Sequence, residues 1–363
     1  MIAEPLSVLR WALSEIRAGS QCSFIESLSV QVEPNDFIVN CYGIMTQQAS
    51  ANRLQMPHGD PYDGIILIDK NEGEISFDIV KRLRKILNLK KVGHAGTLDP
   101  FATGLLIVLL GQGTKLSRYI MAGEKRYLAS IRLGVETDTL DPTGSVVRTK
   151  DVPILKPEEI KECILKFVGE IEQVPPTFSA VNVKGKRAYK LAREGVRIEL
   201  PKKVVMIRSV EIISIDMPVI TIDVLCSGGT YIRSLAADIG KRLGSVAHLS
   251  SLRRLSIGSF HVKEALNSAQ IRVAPDGVLA DNLISLKDSL PDMKEYNVDI
   301  DTAERIRKGH RPGWDEVAHG DVFCDTYEGF IKLVSGSSLV AVMDVSRLSG
   351  NNKDWLKNIR IFN

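Results

Sequence analysis

Six consecutive apolar residues, Leu105 to Leu110, constrain this chain more than any other feature. Side chains along a strand point alternately to opposite faces, so a strand with one wet face alternates apolar and polar residues. A run without alternation needs cover on both faces. Six residues are also far short of the roughly 20 that cross a bilayer as a helix. Gly104 to Leu110 therefore reads as a buried strand, and Ile65 to Ile68 reads as another. Between them Ile79, Val80, Leu83, Ile86 and Leu87 recur at helical spacing in a segment from Ser76, a candidate cap, to Asn88. Lys81, Arg82, Arg84 and Lys85 fill its other face.

The pattern continues in the same mixed style. Thr114 is placed to cap a short helix ending near Gly123, and Lys125 to Val135 alternates, with Tyr127, Ala129, Ile131, Leu133 and Val135 on one side. Asp141-Pro142-Thr143-Gly144 has the chemistry of a turn. Pro157 to Val168 reads as a helix with Pro in its first turn and Gly169 after its end. Extended segments at Val204 to Ile215 and Val219 to Cys226 precede a helix from Tyr231 to Leu243. Strands and helices do not alternate regularly, which predicts an α+β fold on a mixed sheet. After Leu290 a helix near Thr302 to Lys308 and strands at Asp321 to Cys324, Gly329 to Val334 and Leu339 to Val345 predict a small, mainly β C-terminal domain.

Charge divides the chain. The whole carries 47 basic and 44 acidic residues, a net of +3 that points to no partner. Residues 1–63 hold three basic and seven acidic residues, whereas the remainder holds 44 basic against 37 acidic, a net of +7. The first segment offers one short helix, Leu6 to Ile16, and no chemical motif, so it reads as an extension or a small binding element. The length of 363 residues predicts two or more units. Cys22, Cys41, Cys163, Cys226 and Cys324 include no Cys-x-x-Cys pair, which argues against a zinc site or a disulfide framework and for a reducing compartment. With no secretory signal and no spanning segment, a soluble intracellular protein is expected.

Chemistry concentrates in three places. Gly93-His94-Ala95-Gly96-Thr97-Leu98-Asp99-Pro100 sets Asp99 on a loop stiffened by the following proline. Such positioning suits a nucleophile or general base, although an Asp-Pro of this kind is more often an Asx turn or helix cap. Cys226-Ser227-Gly228-Gly229-Thr230-Tyr231-Ile232-Arg233 is a glycine turn opening a helix, suited to phosphate or carboxylate. Arg233 has the chemistry to hold a carboxylate such as Asp99 ionised, if the fold brings them together. Tyr127, beside Lys125 and Arg126, is either a core residue or a platform for a base. Basic residues gather at Lys184 to Arg197, at Lys241, Arg242, Arg253 and Arg254, and at Arg305 to Arg311, which favours a nucleic-acid partner without naming a reaction.

These motifs, in this order, resemble the TruB family of tRNA pseudouridine synthases over roughly residues 64–290. The signature loop is 93–104; Lys125-Arg126-Tyr127 with Asp138-Thr139 and Asp141 resembles the second motif, and Pro175-Pro176-Thr177-Phe178-Ser179-Ala180 with Lys184 to Gly195 the third. Gly229-Thr230-Tyr231-Ile232-Arg233 and Leu252-Arg253-Arg254-Leu255 complete the set. The resemblance implies a pseudouridine synthase fold with a mixed, mainly antiparallel sheet. It implies a catalytic domain at 64–290 and a PUA-like RNA-binding domain at 291–363, after an extension at 1–63. It further implies conversion of uridine 55 to pseudouridine in the T-loop of tRNA without metal or cofactor. The enzyme would be cytoplasmic and monomeric, of the bacterial stand-alone type, with no membrane and no obligate protein partner. Asp99 would be the nucleophile, attacking the sugar or the base of a flipped uridine. Tyr127 would stack on the uracil and help remove the C5 proton, Arg233 would hold Asp99, Tyr231 would line the pocket and Leu252 would pack on the base. His94 would support the opened T-loop and Lys115 would hold phosphate. A catalytically silent tRNA-binding or folding protein of the same fold is the alternative. Asn71 and Phe178 depart from the family's usual Pro and Tyr, and Met56 would be a natural start, so residues 1–55 are expected to be an appended or mis-assigned stretch.

Overall fold

The computed structural model describes residues 61–363 apart from 180, 184, 197, 273–275, 314–315, 318–328 and 346–358. The helix expected at Leu6 to Ile16 and the strand expected at Asp321 to Cys324 lie outside the described residues. The main elements are β1 (Gly64–Lys70), α1 (Ser76–Ile86), β2 (Val92–His94), β3 (Thr103–Leu110), β4 (Lys125–Leu133), α2 (Pro157–Leu165), β5 (Gly169–Gln173), β6 (Lys203–Asp216), β7 (Val219–Cys226), α3 (Ile232–Arg242) and β8 (Ala247–Ile257). Among the described residues they build an eleven-stranded sheet whose main path runs Leu266–Asn267, β1, β3, β8, β4, β7, β6, β5. Pairing is antiparallel except between β1 and Leu266–Asn267 and between β3 and β8, so the sheet is mixed and mainly antiparallel. No helix among the described residues is long and apolar enough to cross a membrane.

The unbroken apolar runs are explained by what lies on each side. Ile66, Ile68, Leu106 and Val108 pack on Ile79, Val80 and Leu83 of α1. Their alternates Ile65, Leu67, Leu105 and Ile107 pack instead on Val334, Leu339, Val342 and Phe362 near the C-terminus. Those belong to a second sheet, β9 (Lys294–Asn297), β10 (Phe330–Ser335), β11 (Ser338–Asp344) and β12 (Ile359–Ile361), followed by Phe362. Both sheets fall within one compact unit, His58–Asn363. In the other half of the main sheet, the alternating residues of β4 and β7 cover α2 and α3 on one face only. That is why those strands alternate and β1 and β3 do not.

Three local readings need correction. Ser76 does not cap α1: Ile75 is the cap residue, and the Ser76 hydroxyl donates to the Leu98 carbonyl (2.9 Å) and accepts from its N–H (3.1 Å). Thr114 sits inside a 3₁₀ turn, Gly111–Leu116, with its hydroxyl donating back to Gly111 O. Arg253 and Arg254, expected only as clustered basic residues, belong to β8 at the centre of the sheet, and Arg254 is 1% exposed.

The two halves of the sheet meet at β3 and β8 through only the pairs Arg253↔Thr103 and Arg254↔Gly104. Gly104 has φ +101°, and a Cβ there would lie 2.3 Å from Arg254 O and 2.7 Å from its N. No side chain can move aside to relieve a backbone clash. Gly104→Ala should cost more than about 2 kcal/mol through strain and separation of the strands. The check is the urea midpoint, expected to fall with an unchanged slope; an unshifted midpoint contradicts the close approach.

Candidate active site

Residues 95–102, between β2 and β3, carry Asp99 and are braced along their length. Ala95 N donates to Ile107 O (2.9 Å), Ser76 clamps Leu98, and Gly73 N donates to Pro100 O (2.8 Å). Lys70, fully buried at the end of β1, donates to the carbonyls of Asn71 (3.0 Å), Glu74 (2.8 Å) and Pro100 (3.1 Å). Its burial pulls its pKa down to about 8, against the opposing attraction of Glu74 and Asp99. One ammonium thus ties the first strand, the following turn and the residue after Asp99 into one frame.

Asp99 and Arg233 do meet. Arg233 Nε lies 3.0 Å from Asp99 Oδ2, and Nη2 lies 3.5 Å from Oδ1. The opposite edge of the guanidinium reaches Asp141 Oδ2 at 3.1 Å. Arg233 also donates to Thr139 O and Phe178 O, each at 2.9 Å. Asp141 is held in turn by the Thr139 hydroxyl (2.7 Å) and by Thr143 N and Oγ1 (3.0 and 2.5 Å), all donating to Oδ1. Arg233 and Asp141 are nearly closed to solvent, at 7% and 5%, whereas the Asp99 side chain keeps 36% exposure. The one accessible member is therefore the carboxylate.

Electrostatics at Asp99 pull both ways. Burial pushes its carboxyl up, Arg233 draws it down, Asp141 repels and pushes up, and Lys70 draws down; the balance lies above the ordinary carboxylate value. The ionised form of a carboxyl so placed is poorly solvated, which favours nucleophilic attack.

Leu98, Tyr127, Leu252 and Ile232 share one buried cluster beside this loop. Burial pushes the Tyr127 phenol up, while the charge of Arg254 opposes it. Tyr231 caps α3, its N–H donating to Gln173 Oε1 (3.0 Å). His94 is half-buried, with Nε2 3.5 Å from Thr97 Oγ1 and a buried Nδ1 that has no hydrogen-bond partner among the described residues. Burial and the Arg254 charge pull its imidazole down, which keeps it neutral. Lys115 lies apart from this group. Its ammonium donates to Gln112 Oε1 (2.9 Å) and Ile361 O (2.8 Å) and sits 5.2 Å from the Phe362 ring centroid.

Sequence reasoning missed Lys70, Ser76 and Arg254 as site-building residues, and took Asp141 only as part of a motif. Arg253, expected among surface cations, pairs in bidentate fashion with Asp69 at 3.0 and 2.7 Å. A period-2 reading of Ala247, Leu249, Leu252 and Arg254, allowing one bulge between Leu249 and Leu252, was the available signal for β8.

Residues 84–232 match the family model for TruB family pseudouridylate synthase, N-terminal domain. The chain is 41% identical over 303 residues to tRNA pseudouridine synthase B of Geobacter sulfurreducens, covering 83% of this chain and 100% of that protein. It is 38% identical over 282 residues to tRNA pseudouridine synthase B of Syntrophobacter fumaroxidans, covering 77% and 92%. A crystal structure of a Cbf5-Nop10-Gar1 complex is similar in fold, with TM-score 0.62 and 23% identity over 84% of this chain and 85% of that chain.

Proposed function

Because the chain belongs to the TruB family of pseudouridylate synthases, we propose that it isomerises uridine to pseudouridine in tRNA, at position 55 of the T-loop. The observation that carries this reading is the exposed Asp99 carboxylate gripped by a buried Arg233–Asp141 pair. A silent RNA-binding protein of the same fold has no use for a partly desolvated carboxylate held this way.

The target nucleotide must leave its stack, since neither the sugar carbon nor the base face is reachable within a folded loop. Asp99 then attacks the sugar or the base, the glycosidic bond breaks, the uracil turns, and C5 rejoins C1′. Arg233 keeps Asp99 ionised and aimed. Tyr127 stacks on the uracil and receives the C5 proton, Leu252 packs on the base, and Tyr231 lines the pocket. Neutral His94, with its unpartnered Nδ1, supports the opened T-loop. Lys115 contributes positive charge toward the RNA backbone. Residues 64–290 are the catalytic domain, 291–363 a PUA-like RNA-binding domain, and 1–63 an extension. The enzyme works alone as a cytoplasmic monomer without cofactor.

A T-arm stem-loop incubated with this protein and no other macromolecule tests the reading: conversion is expected, and a requirement for an added RNA or protein would reject the stand-alone form. Binding should weaken with salt, because cations that neutralise phosphates release counterions. We expect tRNA affinity to fall roughly 10-fold or more between 50 and 200 mM KCl. A Kd unmoved by salt would argue against backbone contacts by the basic part of the chain.

A further inference from the structure

We propose that Arg254 is a positioning residue for the proton transfer, fixing the Tyr127 oxygen as the acceptor of the proton that leaves uracil C5. The inference rests on the reading of Tyr127 given above. Arg254 lies on β8 and is 1% exposed. It donates to Leu105 O (2.7 Å), Gly96 O (3.0 Å) and Thr97 O (3.4 Å). In the β8–β4 register it stands directly opposite Tyr127, so the two side chains share one face of the sheet. None of these partners carries a negative charge at rest. A buried guanidinium without a counter-ion is costly, and carbonyl acceptors satisfy its N–H groups without neutralising it. The anion that this geometry is arranged to meet is one that forms during the reaction, the Tyr127 phenolate.

Two of the carbonyls belong to Gly96 and Thr97, in the loop that carries Asp99, and the third to Leu105 in β3. The Arg254 charge is thereby locked into the same frame as the nucleophile. The charged and titratable groups around this pair are few. Tyr127 is influenced by Arg254, Cys226 and Asp99, and Arg254 is the largest influence opposing the effect of burial. Arg254 in turn acts on His94, Lys70 and Lys125, two of them buried cations. Burial holds the resting Tyr127 as the phenol, and Arg254 is the charge that eases formation of a negative oxygen there.

The step balances. Once C5 is bonded to C1′ it carries both the sugar and its hydrogen, with the ring double bond at N1=C6. The Tyr127 oxygen takes the C5 proton as its own phenol proton passes through water to N1. The C5–H electron pair becomes the C5=C6 bond, and the N1=C6 pair moves onto N1, where that proton is received. The phenol is restored, negative charge builds on its oxygen only during the transfer, and no net acid or base is consumed.

The test compares single-turnover rates on tRNA carrying 5-protio or 5-deuterio uridine, across pH, for wild type, Arg254→Gln, Arg254→Lys, Tyr127→Phe and the Arg254→Gln/Tyr127→Phe double variant. Arg254→Gln should slow turnover about 10²-fold, the low end of what a positioned base contributes. It should also raise the deuterium effect and move the rise of rate with pH to higher pH. Arg254→Lys, which keeps the charge, should recover part of the rate and carries the same readouts if the Gln variant does not fold. Added to Tyr127→Phe, Arg254→Gln should cost little more. An Arg254 variant that is slow with an unchanged isotope effect and pH profile, or whose loss multiplies with that of Tyr127→Phe, would overturn the assignment of Arg254 alone. Full turnover by Tyr127→Phe would overturn the reading of Tyr127 beneath it.

Discussion

Asp99→Asn is expected to bind tRNA within about threefold of wild type while losing turnover by roughly 10⁴-fold or more, the scale on which removal of a covalent nucleophile is felt. The geometry explains why the two effects separate. Asn has the shape of Asp, and its amide oxygen can still accept from Arg233 Nε, now 3.0 Å from Asp99 Oδ2. Arg233 keeps Asp141 as counter-ion at 3.1 Å. The ionised set of two carboxylates and one guanidinium carries a net negative charge, and the amide brings it to neutrality, so the fold loses little. What disappears is the only negative oxygen of the set that solvent, and hence substrate, can reach. Single-turnover tritium release from 5-tritiated uridine in tRNA, with filter binding alongside, checks both halves. A large fall in affinity would mean that Asp99 is chiefly a binding residue.

Substitution of Arg233 should do more damage to the protein itself. Arg233→Met leaves Asp141, 5% exposed, without its cation, and breaking a buried pair from one side costs about 3–5 kcal/mol. It also removes the strongest influence drawing the Asp99 carboxyl down, while burial and Asp141 still push it up. The sign follows: attack needs the ionised form, so activity is lost as pH falls through the Asp99 pKa. That acid limb should lie above the ordinary aspartate value of about 3.9 in wild type, because the Asp99 carboxyl is held above it. In an Arg233 variant it should move higher still. Arg233→Lys separates stability from aim. An ammonium restores a charge but cannot bridge both carboxylates and two carbonyls as a planar fork does. We expect Arg233→Lys to recover part of the urea stability lost in Arg233→Met and to remain slow. An acid limb in the same place for wild type and both variants would contradict the role given to the guanidinium.

Much of this arrangement was legible because local chemistry and tertiary need agree. The double-sided burial of β1 and β3 shows as unbroken apolar runs, and the one-sided burial of β4 shows as alternation. Arg233 was a sound partner for Asp99 because few residues hold a carboxylate as a bidentate cation does. The rest was illegible for specific reasons. Ser76 looks like a cap because serine before an apolar repeat usually is one, but its hydroxyl goes to Leu98, 22 residues on. Lys70 and Arg254 carry charges that read as surface until the carbonyls that satisfy them are brought in from distant segments. Arg254 hid a whole strand, since two adjacent arginines interrupt the period of β8 where one faces Asp69 and the other the interior. Lys115 has the charge of a phosphate ligand, yet its hydrogen bond to Ile361 O joins residues 246 apart in sequence, which no local pattern reveals.

The most direct measurement is single-nucleotide mapping of pseudouridine in a full-length unmodified tRNA transcript after incubation with the purified wild-type chain or its Asp99→Asn variant. The account predicts complete conversion of uridine 55 in the T-loop by wild type, with other uridines untouched and no product from Asp99→Asn. Failure of wild type to form pseudouridine, conversion at other positions in place of uridine 55, or normal product from Asp99→Asn would contradict it.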